Sequence, residues 1–172
     1  MSNTFVSPEG NPEVWDVKPE GYFDSWEDYL ATLPQPPAPS EEELLKRQIE
    51  EVDRNTSAKI LAGFNYTIKG QNLHFSYKLD DQQNFADTAN VATLAAMGVP
   101  GMPATIVWNG WELFRDTNNA IAMRILHRLE LTMPEFLDLY TNGALTHKVT
   151  QMEIGSQKKQ GLLDQLIALQ DG

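Results

Sequence analysis

The chain has 172 residues, room for one ordinary domain plus an extension, with a formal net charge of −11 and no cysteine. Disulfides, thiolate metal sites and cysteine nucleophiles are thereby excluded, and the acidic balance argues against direct binding to nucleic acid. No apolar run approaches the roughly 20 residues that span a bilayer, and the start MSNTFVSPEG lacks the basic and apolar regions of a secretory signal. The expectation is synthesis in a cytoplasm, with no membrane span.

The charge is unevenly placed. Residues 1–57 hold thirteen Asp or Glu against four Lys or Arg, and the remainder holds eleven against nine. The first 23 residues are rich in Pro and Gly, yet they carry Phe5, Val14, Trp15, Val17, Tyr22 and Phe23. That is more apolar surface than a disordered tail usually keeps, so the segment reads as an extended arm lying across a domain or another subunit. A short helix is predicted over 24–33, capped by Asp24 or Ser25, with Trp26, Tyr29, Leu30 and Leu33 on one face. The run Pro34-Gln35-Pro36-Pro37-Ala38-Pro39 cannot continue a helix and reads as a polyproline spacer.

Ser40 with Glu43 makes a capping box, and Glu41, Glu42 and Glu43 suit the positive end of a helix dipole. The helix should run to about residue 62, burying Leu45, Ile49, Val52 and Leu61, with Gly63 as a left-handed stop. The period then changes from 3.6 to 2. Phe64, Tyr66 and Ile68 alternate with polar residues, and after Gly70 so do Leu73, Phe75, Tyr77 and Leu79, which predicts a hairpin. Asp80 with Gln83 should cap a helix of about 15 residues striped by Phe85, Ala89, Ala92 and Ala96 and stopped by Gly98 and Pro100.

In TIVWNGWELF, Asn109-Gly110 is a strong tight-turn signal, which would set Trp108 and Trp111 face to face across a second hairpin. A further short strand is expected near 121–131. Thr132 and Pro134 open a last helical region with Phe136, Leu137, Tyr140 and Ala144 on one face. Gly155 and Gly161 are expected to interrupt it before an amphipathic end from Leu162 to Leu169. Helix packing onto the hairpins is the preferred use of these faces, and an oligomer seam stays open. The fold class is α+β: short antiparallel hairpins packed by helices, behind an N-terminal arm.

Catalytic chemistry is hard to place. His74, His127 and His147 lack metal-ligand spacing, and no nucleophile elbow, phosphate loop or dinucleotide fingerprint is present. Asp116, beside Arg115, is the least poor acid–base candidate, but Thr117 and Asn118 beside it fit a turn-stabilising role better. No enzyme activity, catalytic residue, metal or cofactor is expected. The four tryptophans could form a sugar-stacking platform, but such residues are more often core or interface anchors.

One resemblance bears on function. The stretch AKILAGFNYTIKGQNLHFSYKLDDQQNFADTANVATLAA, the aromatic segment IVWNGWELFRD and the late helix ALTHKVTQMEIGSQKKQGLLDQL resemble a family of unknown function found in tailed-phage proteins encoded near tail fibres. The likeness runs from about residue 57 to the C-terminus. The Pro-rich start is similar to the variable N-terminal parts of tail-fibre assembly and baseplate-associated proteins.

The resemblance implies a component of a bacteriophage or phage-like tail, attached at the baseplate or fibre. It would be made in the host cytoplasm and carried in the virion tail, with other tail proteins as partners. A fibre assembly chaperone released before the virion is complete is the first alternative, and a glycan-binding module at a fibre tip is the second. On this reading residues 1–39 form an acidic docking arm with Trp15, Tyr22, Phe23, Trp26 and Tyr29 as anchors. Residues 40–172 form the tail-associated domain, and Trp108 and Trp111 are a surface aromatic pair.

Overall fold

A computed structural model describes residues 3–34 and 37–170. The chain divides into two compact units, residues 1–40 and residues 41–172. Both helices and antiparallel sheets are present, as the periodicities require of an α+β protein.

The N-terminal unit is not an extended arm. Strands β1 (Asn3–Val6) and β2 (Pro12–Trp15) pair antiparallel, with Asn3 opposite Trp15 and Val6 opposite Pro12. The turn closes through Ser7, whose hydroxyl accepts from Asn11 N at 3.2 Å and whose carbonyl accepts from Gly10 N at 2.9 Å. Gly10 sits at φ +80°, and a Cβ there would lie 2.8 Å from the Tyr29 hydroxyl, so only glycine fits. Phe23 returns beside Val6 and exchanges backbone bonds of 2.8 and 2.9 Å with it. Helix α1 (Trp26–Thr32) is capped by Ser25, which accepts from Asp28 N at 3.1 Å. Of the apolar residues read as an arm, Phe5, Val14 and Trp15 lie in the strands of this hairpin and Phe23 bridges to it at Val6. Of the predicted Pro-rich spacer, Gln35 and Pro36 lie outside the described residues.

The second unit starts with helix α2 (Glu41–Leu61), which buries Leu45, half-buries Ile49 and Val52, and leaves Leu61 at its end exposed. Gly63, at φ +85°, ends it as a left-handed cap. Strands β3 (Phe64–Ile68) and β4 (Gln71–Phe75) form the predicted hairpin, Phe64 opposite Phe75. Strand β4 stops four residues short of Leu79, because the chain turns into helix α3 (Leu79–Ala96). Asp81, not Asp80, holds that start: its carboxylate accepts from Lys78 N at 3.0 Å and from the Ser76 hydroxyl at 2.5 Å.

Strands β5 (Thr105–Arg115) and β6 (Ile121–Thr132) are long and complete a four-stranded sheet in the order β3-β4-β5-β6. A capping box of Thr132 and Glu135 starts helix α4 (Met133–Asp138), and a π-helical segment (Leu139–Leu145) leads into helix α5 (Thr146–Gln170). Gly155 and Gly161 do not interrupt α5. Gly155 is buried where α5 packs along α2, so side-chain packing supports the helix where glycine alone would weaken it. The core lies between the sheet, α3 and α4: Phe75, Phe85, Leu131, Phe136 and Leu139 have no more than a trace of exposure. Burying each such side chain contributes roughly 1.5–3 kcal/mol.

Candidate interaction surfaces

The five aromatic residues singled out near the N-terminus fall into two ring clusters within their unit. The rings of Trp15 and Tyr22 meet edge to face with centroids 6.4 Å apart. Glu13 lies beneath them, accepting from the Tyr22 hydroxyl at 2.9 Å and from Trp15 Nε1 at 3.2 Å. That hydrogen bond to a carboxylate raises the Tyr22 phenol above its ordinary pKa, since ionising it would set two anions side by side. Tyr29 is the centre of the second cluster, 5.4 Å from Phe23 and 5.7 Å from Trp26.

The clusters are only partly covered. Trp15 and Trp26 are each 45 % exposed, and Val14, Val17, Leu30 and Leu33 are exposed as well. Only Val6 and Ser7 of the described residues in this unit are buried. Seven acidic residues and one lysine share the segment 1–40. The unit therefore presents fixed aromatic and aliphatic side chains within a field of carboxylates.

Trp108 and Trp111 do not face each other across a turn. Asn109 and Gly110 lie in the middle of β5, paired with Arg128 and His127 of β6. The connection is made instead at residues 116–120, where Asp116 Oδ1 accepts from the backbone N–H groups of Asn118 and Ala120, each at 2.9 Å, and Asn119 takes φ +63°. Asp116 is thus a turn residue. Gly110 serves packing rather than turning, since a Cβ there would meet Leu73 at 3.0 Å and Phe75 at 3.1 Å.

Three residues apart on one strand, the two indoles point to opposite faces of the sheet. Trp108 packs into the core, 4.5 Å from Phe85 and 5.0 Å from Phe136. Trp111 sits opposite His74, the one position at which β4 and β5 pair. Both line a recess of about 470 Å³ with Ser76, Asp81, Asn84 and Thr88, opened where β4 leaves the sheet. Half-buried and on opposite faces, the rings form no flat stacking platform.

No known protein family, curated protein or solved structure matches this chain. What the surfaces can do must therefore be read from their own chemistry.

Each histidine ring has a polar neighbour within hydrogen-bond distance. His74 Nδ1 lies 3.1 Å from Asn65 Oδ1, and burial first, then the nearby Arg115 and Arg124, hold its pKa below the ordinary value. His147 Nε2 lies 3.2 Å from the carbonyl of Ile60, and its ring stacks on Phe64 at 5.8 Å, which makes it part of the packing between α5 and the end of α2. His127 Nε2 lies 3.0 Å from Glu112 on the adjacent strand. Among the described residues no cluster of three His, Asp or Glu could hold a metal ion, and no helix is long and apolar enough to cross a membrane.

Two surfaces escaped the sequence reading. The first is a groove of about 820 Å³ beside β4, lined by Lys78, Arg115 and Arg124 with Trp111, Leu113 and Ile121, and no carboxylate. The second is the outer half of the long hairpin, where Phe114, Ile121, Met123, Ile125 and Leu126 are all exposed. The signal for the second was present. The segment IAMRILHRLELT has no Pro or Gly and is rich in β-branched and aliphatic residues, so a long strand was the consistent reading.

Proposed function

We propose that this chain is a structural component of a bacteriophage or phage-like tail, held at the baseplate or fibre through its N-terminal unit. The observation that carries the reading is the character of that unit: an ordered hairpin and helix that bury almost nothing while Trp15 and Trp26 stay half exposed. Aromatic side chains fixed at a surface suit an interface, because they bring large area and lose little rotamer entropy on docking. The surrounding carboxylates favour a partner face with basic groups at its rim, which would speed and orient docking.

The resemblance of the segment from about residue 57 onward to tail-associated proteins supplies the biological setting. The anchors are Trp15 and Trp26, with Tyr22, Phe23 and Tyr29 holding them in place. Substituting Trp15 and Trp26 together by Ala should weaken attachment by 100-fold or more, taking about 2 kcal/mol for each anchor.

The test is quantitative mass spectrometry of purified particles, with the major tail protein as internal standard. A fixed copy number such as three, six or twelve supports a structural tail component. Absence from particles together with abundance in the infected-cell lysate would replace this reading with that of a fibre assembly factor.

A further inference from the structure

Strand β6 is the outer strand of the four-stranded sheet, and no described strand pairs beyond it. Twelve residues long, it has neither the shortness nor the proline that keep many such edges from pairing. It contains no proline and no lysine, and it opposes β5 without a break until the irregularity at Phe114 and Arg115. Residues 121–126 are all exposed, with Ile121, Met123, Ile125 and Leu126 among them. Thr132 N donates to Glu135 Oε2 at 2.8 Å and not to β5, so Thr132 turns its backbone outward, and so does Glu130 two residues before it, whose carbonyl accepts from Lys69 Nζ at 2.5 Å. Because antiparallel residues alternate between the two neighbours, Arg128, Leu126 and Arg124 turn their backbone groups outward with them.

We propose that this edge pairs with β6 of a second copy, antiparallel about a two-fold axis through His127, joining two sheets into one. The charges select that register. With the axis at His127, Arg124 of each copy lies opposite Glu130 of the other, and symmetry supplies the ion pair twice. Ile125 then lies opposite Leu129, and Met123 opposite Leu131, so the exposed apolar half of one strand meets the inner half of the other. Moving the axis to Leu126 sets Arg124 against Arg128, and moving it to Arg128 sets that residue against itself. An axis at Leu129 pairs Arg128 with Glu130, but it overlaps only residues 126–132 and leaves Ile121, Met123 and Ile125 uncovered. Lys69 does not block the ladder, since the Glu130 carbonyl has a second lone pair.

Sedimentation velocity of the full chain, from low to high micromolar, tests the proposal without reference to any tail. The wild type is expected to reach twice the chain mass. Arg124→Glu alone and Glu130→Arg alone should each weaken the dimer at least tenfold, because each sets like charges opposite one another twice. The double variant Arg124→Glu/Glu130→Arg should restore it, with far-ultraviolet circular dichroism confirming that every variant is folded. A wild type that keeps the single-chain mass throughout overturns the proposal. So does a dimer indifferent to the single reversals, or one restored by Arg128→Glu/Glu130→Arg instead.

Discussion

Two glycines on one helix show how far residue type alone can mislead. Gly155 and Gly161 both carry the cost of about 1 kcal/mol that glycine brings to a helix interior, which made them look like interruptions. Their surroundings differ. A Cβ at Gly161 would meet nothing within 4 Å, whereas one at Gly155 would overlap Thr56 Oγ1 and approach its Cγ2 to 2.9 Å. Thr56 cannot easily yield: it is β-branched, and its hydroxyl donates to the Val52 carbonyl at 2.7 Å. Gly161→Ala should therefore stabilise the protein by about 1 kcal/mol. Gly155→Ala should destabilise it by about 1–3 kcal/mol through overpacking between α2 and α5. Thermal melts of the two variants check this, and adding Thr56→Ala should recover most of the loss at Gly155. Equal stabilisation by both alanines would mean that α2 and α5 do not approach closely here.

At the scale of elements, the parts set by short-range rules were legible and the parts set by packing were not. The β3–β4 hairpin followed from its alternation and Gly70, and the start of α4 from Thr132 and Pro134. The strand β5 was cut in two at Asn109-Gly110 because a turn signal outranked the alternation around it. The long partner β6 and the core beneath Gly110 decided otherwise. The basic groove beside β4 and the exposed outer half of β6 could not be read this way, since exposure depends on which faces other elements cover. One link between elements makes a pH-dependent prediction. The Tyr66 hydroxyl of β3 donates to Asp138 Oδ2 at the end of α4 at 2.6 Å. That bond pushes the Tyr66 phenol up from 10.0 to about 12 and holds the Asp138 carboxyl below its ordinary value. The raised phenol contributes stability that is complete below pH 10 and is lost as pH rises toward 12. The lowered carboxyl contributes above the ordinary carboxylate range and loses its share as pH falls through its depressed value. Tyr66→Phe should thus cost about 1 kcal/mol near neutrality, discounted for the exposure of the pair. The difference from wild type should shrink toward both extremes in denaturant titrations. A difference constant from pH 3 to pH 11 would show that the hydroxyl contributes packing alone.

For the whole molecule the uneven charge and the uneven core divide the work in the same place. The continuous core draws all its members from between Phe64 and Ala144, and the α2–α5 pair beside it is built wholly from residues after Ser40. The first 40 residues supply their own hairpin, their own helix cap and most of the exposed aromatic surface. Removing residues 1–39 should therefore take away a docking surface without touching what folds the rest. A chain of residues 40–172, retaining Ser40 ahead of α2, is expected to unfold cooperatively with a denaturant midpoint close to that of the full chain. Its denaturant sensitivity should be smaller, because less surface is exposed on unfolding. The same truncation should retain dimerisation through β6 while losing attachment to particles, which separates the two proposed surfaces in one molecule. A truncated chain that unfolds without cooperativity would mean that the N-terminal unit is part of the folding unit, and the assignment of that unit to docking would fall with it.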